Sequence, residues 1–263
     1  MKGPKEGNVA VIQAEWLWTG STLLQHAQVV IEDGRIVAVR SATEDRADVN
    51  LPGRLLMPGL VNAHSHAFQR AFRGHVQHKS SGHDDFWSWR KAMYSVATTL
   101  TPEEIEAVSR LAFVEMIEAG ITAVGEFHYL HHAPDGSRYD DPDELARRVI
   151  NAATEVGLRI TLLRVAYATG GIGEPLGTGQ LRFGDRSPDE VLAAIARLRE
   201  HGDQRVSVGL APHSVRAVPV DWLAEFAHHD GVIHSHVAEQ PGEIQACLAA
   251  YGKSPVRVLD DAG

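Results

Sequence analysis

From residue 101 onward, short apolar runs of strand length alternate with longer segments whose apolar residues recur at helical spacing. Thr101-Pro102-Glu103-Glu104 carries a helix start: Thr101 as cap, Pro102 at the first helical position, Glu104 to close a capping box. Ile105, Val108, Leu111, Ala112 and Met116 then form one apolar stripe, which Gly120 ends. Asp141-Pro142-Asp143-Glu144 and Ser187-Pro188-Asp189-Glu190 repeat the start signal, and shorter helices are expected after Pro219 and from Pro241-Gly242-Glu243. Between these helices lie Ile121 to Phe127, Leu158 to Ala166, Arg205 to Ala211 and Gly231 to His236, all largely apolar. An earlier run, Leu55 to Val61, ends at Asn62-Ala63-His64. A strand followed by a helix thus repeats five times, which predicts parallel strands with crossover helices and both sheet faces covered.

The first fifty residues follow a different pattern. Gln28 to Glu32 and Arg35 to Val39 are β-rich runs joined by Asp33-Gly34, a dipeptide that accepts the positive φ angles of a tight hairpin. Residues 1–54 are expected to form a small β-sandwich portion, and residues 55–263 an α/β domain. An open doubly wound sheet and a (β/α)8 TIM barrel compete for the latter. No glycine-rich dinucleotide fingerprint follows the first strand. Ionisable residues gather just after strand ends, at His64/His66, Glu126/His128, His213 and His236/Glu239, as they do where barrel strands converge on one site. A barrel is therefore expected. A whole barrel takes roughly 250 residues and eight units, so five units read as the first part of one, in a C-terminally truncated chain.

Residues two apart on a strand point the same way, so His64 and His66 direct two imidazoles at one point. His236 offers a third, and Glu239 lies just beyond it as an acid/base. Three nitrogens with a nearby carboxylate suit a catalytic zinc-type site, in which one coordination position stays open. His234-Ser235-His236 is a second pair of the same spacing, while His128, His131 and His132 read as a loop cluster with its own hydrogen-bond partners. Arg90 and Arg216 present planar forks suited to carboxylates. Trp87 and Trp89 read as packing for the long segment spanning residues 67–100.

Charge and cysteine content narrow the partners. The net charge of −9 argues against nucleic acid or an anionic membrane, although local arginines still admit a small anion. The one cysteine, Cys247, excludes a disulfide within the chain and reads as a helix packing residue; it fits a reducing compartment. The polar N-terminal residues lack a signal-peptide core, and no apolar run reaches the eighteen or so residues of a membrane span, so the cytoplasm is the expected location.

Pro58-Gly59-Leu60-Val61-Asn62-Ala63-His64-Ser65-His66 resembles the amidohydrolase superfamily. Within it, five stretches in order resemble the formimidoylglutamate deiminase family: His64 to Ala71, Phe86 to Arg90, Glu126 to His131, Ala211 to Ala217 and His236 to Gln240. The resemblance implies a metal-dependent (β/α)8 barrel with a small β-sandwich built from both chain ends. It implies His64, His66 and His236 as metal ligands, with His236 preferred to His234 because it stands three before Glu239. Glu239 matches the proton shuttle, and Gln69, Arg90, Tyr129, His213 and Arg216 match positions that contact the substrate. The family also uses a later His and a metal-binding Asp that this chain does not contain. Ala211-Pro212-His213-Ser214 has no lysine to bridge two ions, which implies one metal, zinc by preference with iron(II) as the alternative. The implied reaction is hydrolysis of N-formimidoyl-L-glutamate to N-formyl-L-glutamate and ammonia in histidine degradation. Deamination of a ring base such as guanine, or an incomplete barrel with a vestigial metal site, are the alternatives. Expected partners are a small dicarboxylate and, as an open option, a second copy in a homodimer.

Overall fold

The structure, a computed structural model, describes residues 9–41, 46–74 and 86–263. The N-terminal residues read above as lacking a signal, and the side chain of Trp87, lie outside the described residues. Two compact units, Met1–Gly59 and Leu60–Gly263, divide the chain.

In the first unit, β1 (Val9–Trp18), β2 (Leu23–Glu32), β3 (Arg35–Ser41) and β4 (Val49–Leu56) form one sheet in the order β3-β2-β1-β4. The β2–β3 hairpin turns at Asp33 and Gly34 with φ of 48° and 77°, as the dipeptide requires. Leu17, Ala27 and Val29 are the buried centre of this unit, and every residue of β3 is exposed. The sandwich expected for this region appears, among the described residues, as a single sheet.

In the second unit, β5 (Leu60–Ser65), β6 (Ile121–His128), β7 (Arg159–Ala166) and β8 (Val206–Pro212) are parallel neighbours in chain order. Helices α1 (Phe86–Ala97), α2 (Pro102–Glu118), α3 (Glu144–Glu155) and α4 (Pro188–Arg199) fill the crossovers, and α5 (Val220–Phe226), α6 (Pro241–Tyr251) and α7 (Pro255–Ala262) follow. The core is the space between strands and helices, where Phe113, Ile150, Leu162, Ile195 and Leu210 are fully or almost fully buried. Thr101 and Glu104 make the reciprocal capping box of α2, and Ser187 caps α4. No helix of the described residues is long and apolar enough to cross a membrane.

Three sequence expectations change. The run Leu55–Val61 is not one strand: Leu55 and Leu56 pair with β1, and the parallel sheet starts afresh at Leu60 after Met57-Pro58-Gly59. The Pro has no N–H to offer a ladder, so the chain leaves one sheet before entering the other. At α3 the side chain of Asp143 does not cap the helix; it grips Arg197 at 2.6 and 3.0 Å. The segment 231–236 forms only a bridge at Ile233. It nevertheless runs beside β8, where Leu210 N donates to Val232 O (2.9 Å) and His234 N to Leu210 O (3.1 Å). Gly209 permits the approach, since a Cβ there would stand 2.6 Å from Val232 O.

Candidate active site

The strand ends carry the chemistry. His64 sits near the end of β5, and His66 is the first residue beyond it. His66 Nδ1 lies 2.9 Å from the Phe127 carbonyl. A carbonyl only accepts, so Nδ1 carries the proton and Nε2 keeps its lone pair. His236 arrives from the segment beside β8, where its N–H donates to His213 O at 3.0 Å. His236 Nε2 stands 3.3 Å from His64 Nε2, and one ligand nitrogen from each of the three imidazoles falls within 4.8 Å of the others.

These side chains fit a divalent ion. Bonds of about 2.1 Å in tetrahedral geometry separate two donor nitrogens by about 3.4 Å, close to the His64–His236 spacing. Burial, followed by the adjacent His236, lowers the His66 pKa to about 3; burial, followed by His64, lowers that of His236 to about 4. Burial also lowers His64. All three rings are therefore neutral at pH 7, the form in which an imidazole can ligate a metal. His234 is half-buried and outside this trio.

Glu239 reaches the site through a strained turn. Ala238 has φ of 55°, a conformation unfavourable to any side chain with a Cβ. Glu239 N donates to the buried carboxylate of Glu243 at 3.0 Å, and Glu239 Oε2 accepts from Arg216 Nη2 at 3.0 Å. Gln69, Arg90, Tyr129, His213 and Arg216 all line one cleft with His66, His236 and Glu239. Gln69 Nε2 donates to Tyr129 Oη (3.0 Å), Arg90 Nε to Tyr94 Oη (2.7 Å), and His213 Nδ1 lies 3.1 Å from Ser214 Oγ. Burial, then His236 and the cation of Arg216, hold His213 well below the ordinary imidazole range. The structure therefore gathers the residues expected as metal ligands, proton shuttle and substrate contacts around one place.

Tyr94 and Tyr167 were not nominated from sequence. Both line the cleft, and Gln180 Nε2 donates to Tyr167 Oη at 2.8 Å. Tyr94 was open to discovery, because it stands four residues beyond Arg90 on one helix face. Tyr167 is the first residue beyond β7, a strand-end position like those of the other site residues.

Other candidates settle into structural places. His131 Nε2 lies 2.9 Å from Val165 O and His132 Nε2 lies 2.8 Å from Gly184 O, as a satisfied loop cluster requires; His128 is buried with its Nε2 unpartnered. Cys247 is wholly buried in α6. Glu126 does not enter the cleft. Its Oε1 accepts from Ala67 N at 2.6 Å and ties β6 to the start of the 3-10 helix Ala67–Phe72 that follows His66.

Burial raises the Glu126 pKa to about 7, against 4.5 for the free group. A raised carboxyl contributes stability in full below about 4.5, and that contribution is lost as pH rises through about 7. Glu126→Gln removes the titration while keeping an acceptor for Ala67. The metal-free variant is expected to lose less Tm than the parent between pH 5 and pH 8, measured by thermal melts; equal losses assign the pH dependence elsewhere.

The amidohydrolase family profile matches residues 55–263. The chain belongs to the amidohydrolase family. It is 41% identical over 233 residues to formimidoylglutamate deiminase of Pseudomonas aeruginosa, covering 86% of this chain and 51% of that protein. The 8-oxoguanine deaminase of the same organism is 30% identical over 261 residues, covering 94% and 55%. Among solved structures, an amidohydrolase from Brucella melitensis superposes with a TM-score of 0.89 at 37% identity, over 97% of this chain and 57% of that one. Atrazine chlorohydrolase from Arthrobacter aurescens, solved with zinc, has the same fold at a TM-score of 0.79 and 23% identity, over 97% and 58%. The chain spans about half the length of the curated relatives it matches. The shared fold of the family is the TIM-type barrel, and β5 to β8 with their helices are the part of it seen here.

Proposed function

We propose that this chain carries the metal ligands, proton shuttle and anion-binding residues of a hydrolase that converts N-formimidoyl-L-glutamate and water to N-formyl-L-glutamate and ammonia. The observation that carries the reading is the presence of two arginines, Arg90 and Arg216, in the cleft that holds His66, His236 and Glu239. A dicarboxylate brings an anionic group for each of the two cations, whereas a neutral ring base brings no anion to the cleft. The activity for which the 41% identical relative is named points the same way.

His64, His66 and His236 would hold one divalent ion, zinc by preference and iron(II) as the alternative. When bound, such an ion supplies Lewis acidity and makes water a nucleophile at neutral pH. Glu239 takes a proton from the attacking water and delivers it to the departing nitrogen, so that ammonia leaves in place of an amide anion. Arg90 and Arg216 hold the carboxylates, and Gln69, Tyr129 and His213 bound the space for the amidine. Fixing the substrate at both ends converts an encounter into an oriented attack.

Ammonia release from N-formimidoyl-L-glutamate, assayed beside guanine with the zinc-loaded protein, tests the reading. Release from the amidine alone is expected. Release from guanine alone supports the ring-base alternative, which the 8-oxoguanine deaminase likeness favours. Arg216→Met is expected to raise KM for the dicarboxylate about tenfold or more, the scale of one charge-assisted bidentate contact. An unchanged KM reassigns the anion pocket.

A further inference from the structure

Arg216 and Glu239 line one cleft but do not act there as separate groups. Arg216 Nη2 donates to Glu239 Oε2 at 3.0 Å, while Arg216 Nε lies 3.8 Å from Glu243 Oε2. Glu243 is buried, and the same Oε2 accepts from Glu239 N. The carbonyl of Arg216 accepts from Thr169 Oγ1 at 3.0 Å. Arg216, with a side chain only 16% exposed, is thus anchored from behind and through its backbone; Glu239, at 35%, is the partner free to leave.

We infer that Arg216 couples the arrival of a substrate carboxylate to the release of Glu239, so that the acid/base is engaged by the guanidinium until an anion enters the cleft. The inference rests on the function proposed above. Nη2 belongs to both forks through which a guanidinium grips a carboxylate bidentately. Nη2 directs one hydrogen to each fork, so an anionic substrate competes with Glu239 where it takes the fork that Glu239 Oε2 occupies. A carboxylate oxygen committed to that nitrogen is less available to take a proton from water. An amidine without carboxylates, itself a cation at neutral pH, or a neutral ring base brings no competing anion and leaves the pair closed. Selectivity then arises at the step that frees the base, in addition to the binding step.

Calorimetry of glutarate binding to the zinc-loaded protein reads the competition without turnover. Glu239→Gln is expected to tighten glutarate about three- to fivefold, the factor a partly exposed ion pair is worth. The gain should vanish in the Arg216→Met background, where Arg90 still provides a cationic contact. Equal tightening in both backgrounds means simple repulsion by Glu239 and overturns the coupling. Formamidine, the amidine without carboxylates, gives the kinetic arm. Arg216→Met is expected to raise its slow turnover by a similar factor while lowering kcat/KM for N-formimidoyl-L-glutamate. A fall for formamidine overturns the inference. If the glutarate cycle shows coupling and the parent protein releases no ammonia from N-formimidoyl-L-glutamate, the proposed substrate fails and the coupling stands.

Discussion

Glu239→Gln is expected to keep its metal and lose turnover by about 10²–10⁴-fold, the range in which a positioned proton carrier contributes. The side chain keeps its length and an oxygen that can accept from Arg216, so the ion pair becomes a hydrogen bond from the cation to a neutral amide and the cleft keeps its shape. The Glu239 N–H that donates to Glu243 belongs to the backbone and survives. None of the three imidazoles contacts Glu239 by a hydrogen bond among the described residues. What disappears is the capacity to take a proton at one moment and return it at another. Zinc stoichiometry beside single-turnover ammonia release separates the two effects. Near-normal turnover in a zinc-replete variant removes Glu239 from the chemistry and leaves, among the described residues, no other carboxylate lining the cleft.

The parts of this site that were legible in the sequence are those encoded within a few residues. His64-Ser65-His66 is readable because strand geometry alone aims alternate side chains together. Thr101 to Glu104 is readable because a capping box is a four-residue device. Resemblance prefers His236 to His234, and the structure shows that backbone hydrogen bonds from His234 N to Leu210 O and from His236 N to His213 O hold the segment with the His236 ring beside His64. The less legible parts depend on long-range packing. Asp143 looks like a cap until Arg197, far along the chain, claims its carboxylate. Leu55 and Leu56 look continuous with Leu60 until β1 pairs with them. Arg216 looks like a free anion receptor, and only tertiary structure reveals that Glu239 and Glu243 already address it.

Removing the His66 imidazole is expected to abolish metal binding. The ring is held by the Phe127 carbonyl and packed against His64, His236 and Tyr129 at centroid distances of 4.7, 5.3 and 5.2 Å. Its tautomer and direction are thus fixed before any ion arrives, whereas His64 is exposed. A pre-oriented ligand forfeits little entropy on binding, so its loss should exceed the roughly 10–100-fold that supporting residues cost. Zinc at about a thousand times its dissociation constant stabilises a folded protein by about 4 kcal/mol, which a melt records as a clear rise in Tm. In His66→Ala that rise should vanish, and His236→Gln, which changes the interior volume less, should show the same loss. Melts without zinc separate this from misfolding: each variant must still unfold cooperatively, with a Tm lowered only by the missing packing. A zinc-dependent rise preserved in both variants would move the ion away from these three imidazoles, and the assignments of Glu239 and the two arginines would lose the centre around which they are arranged.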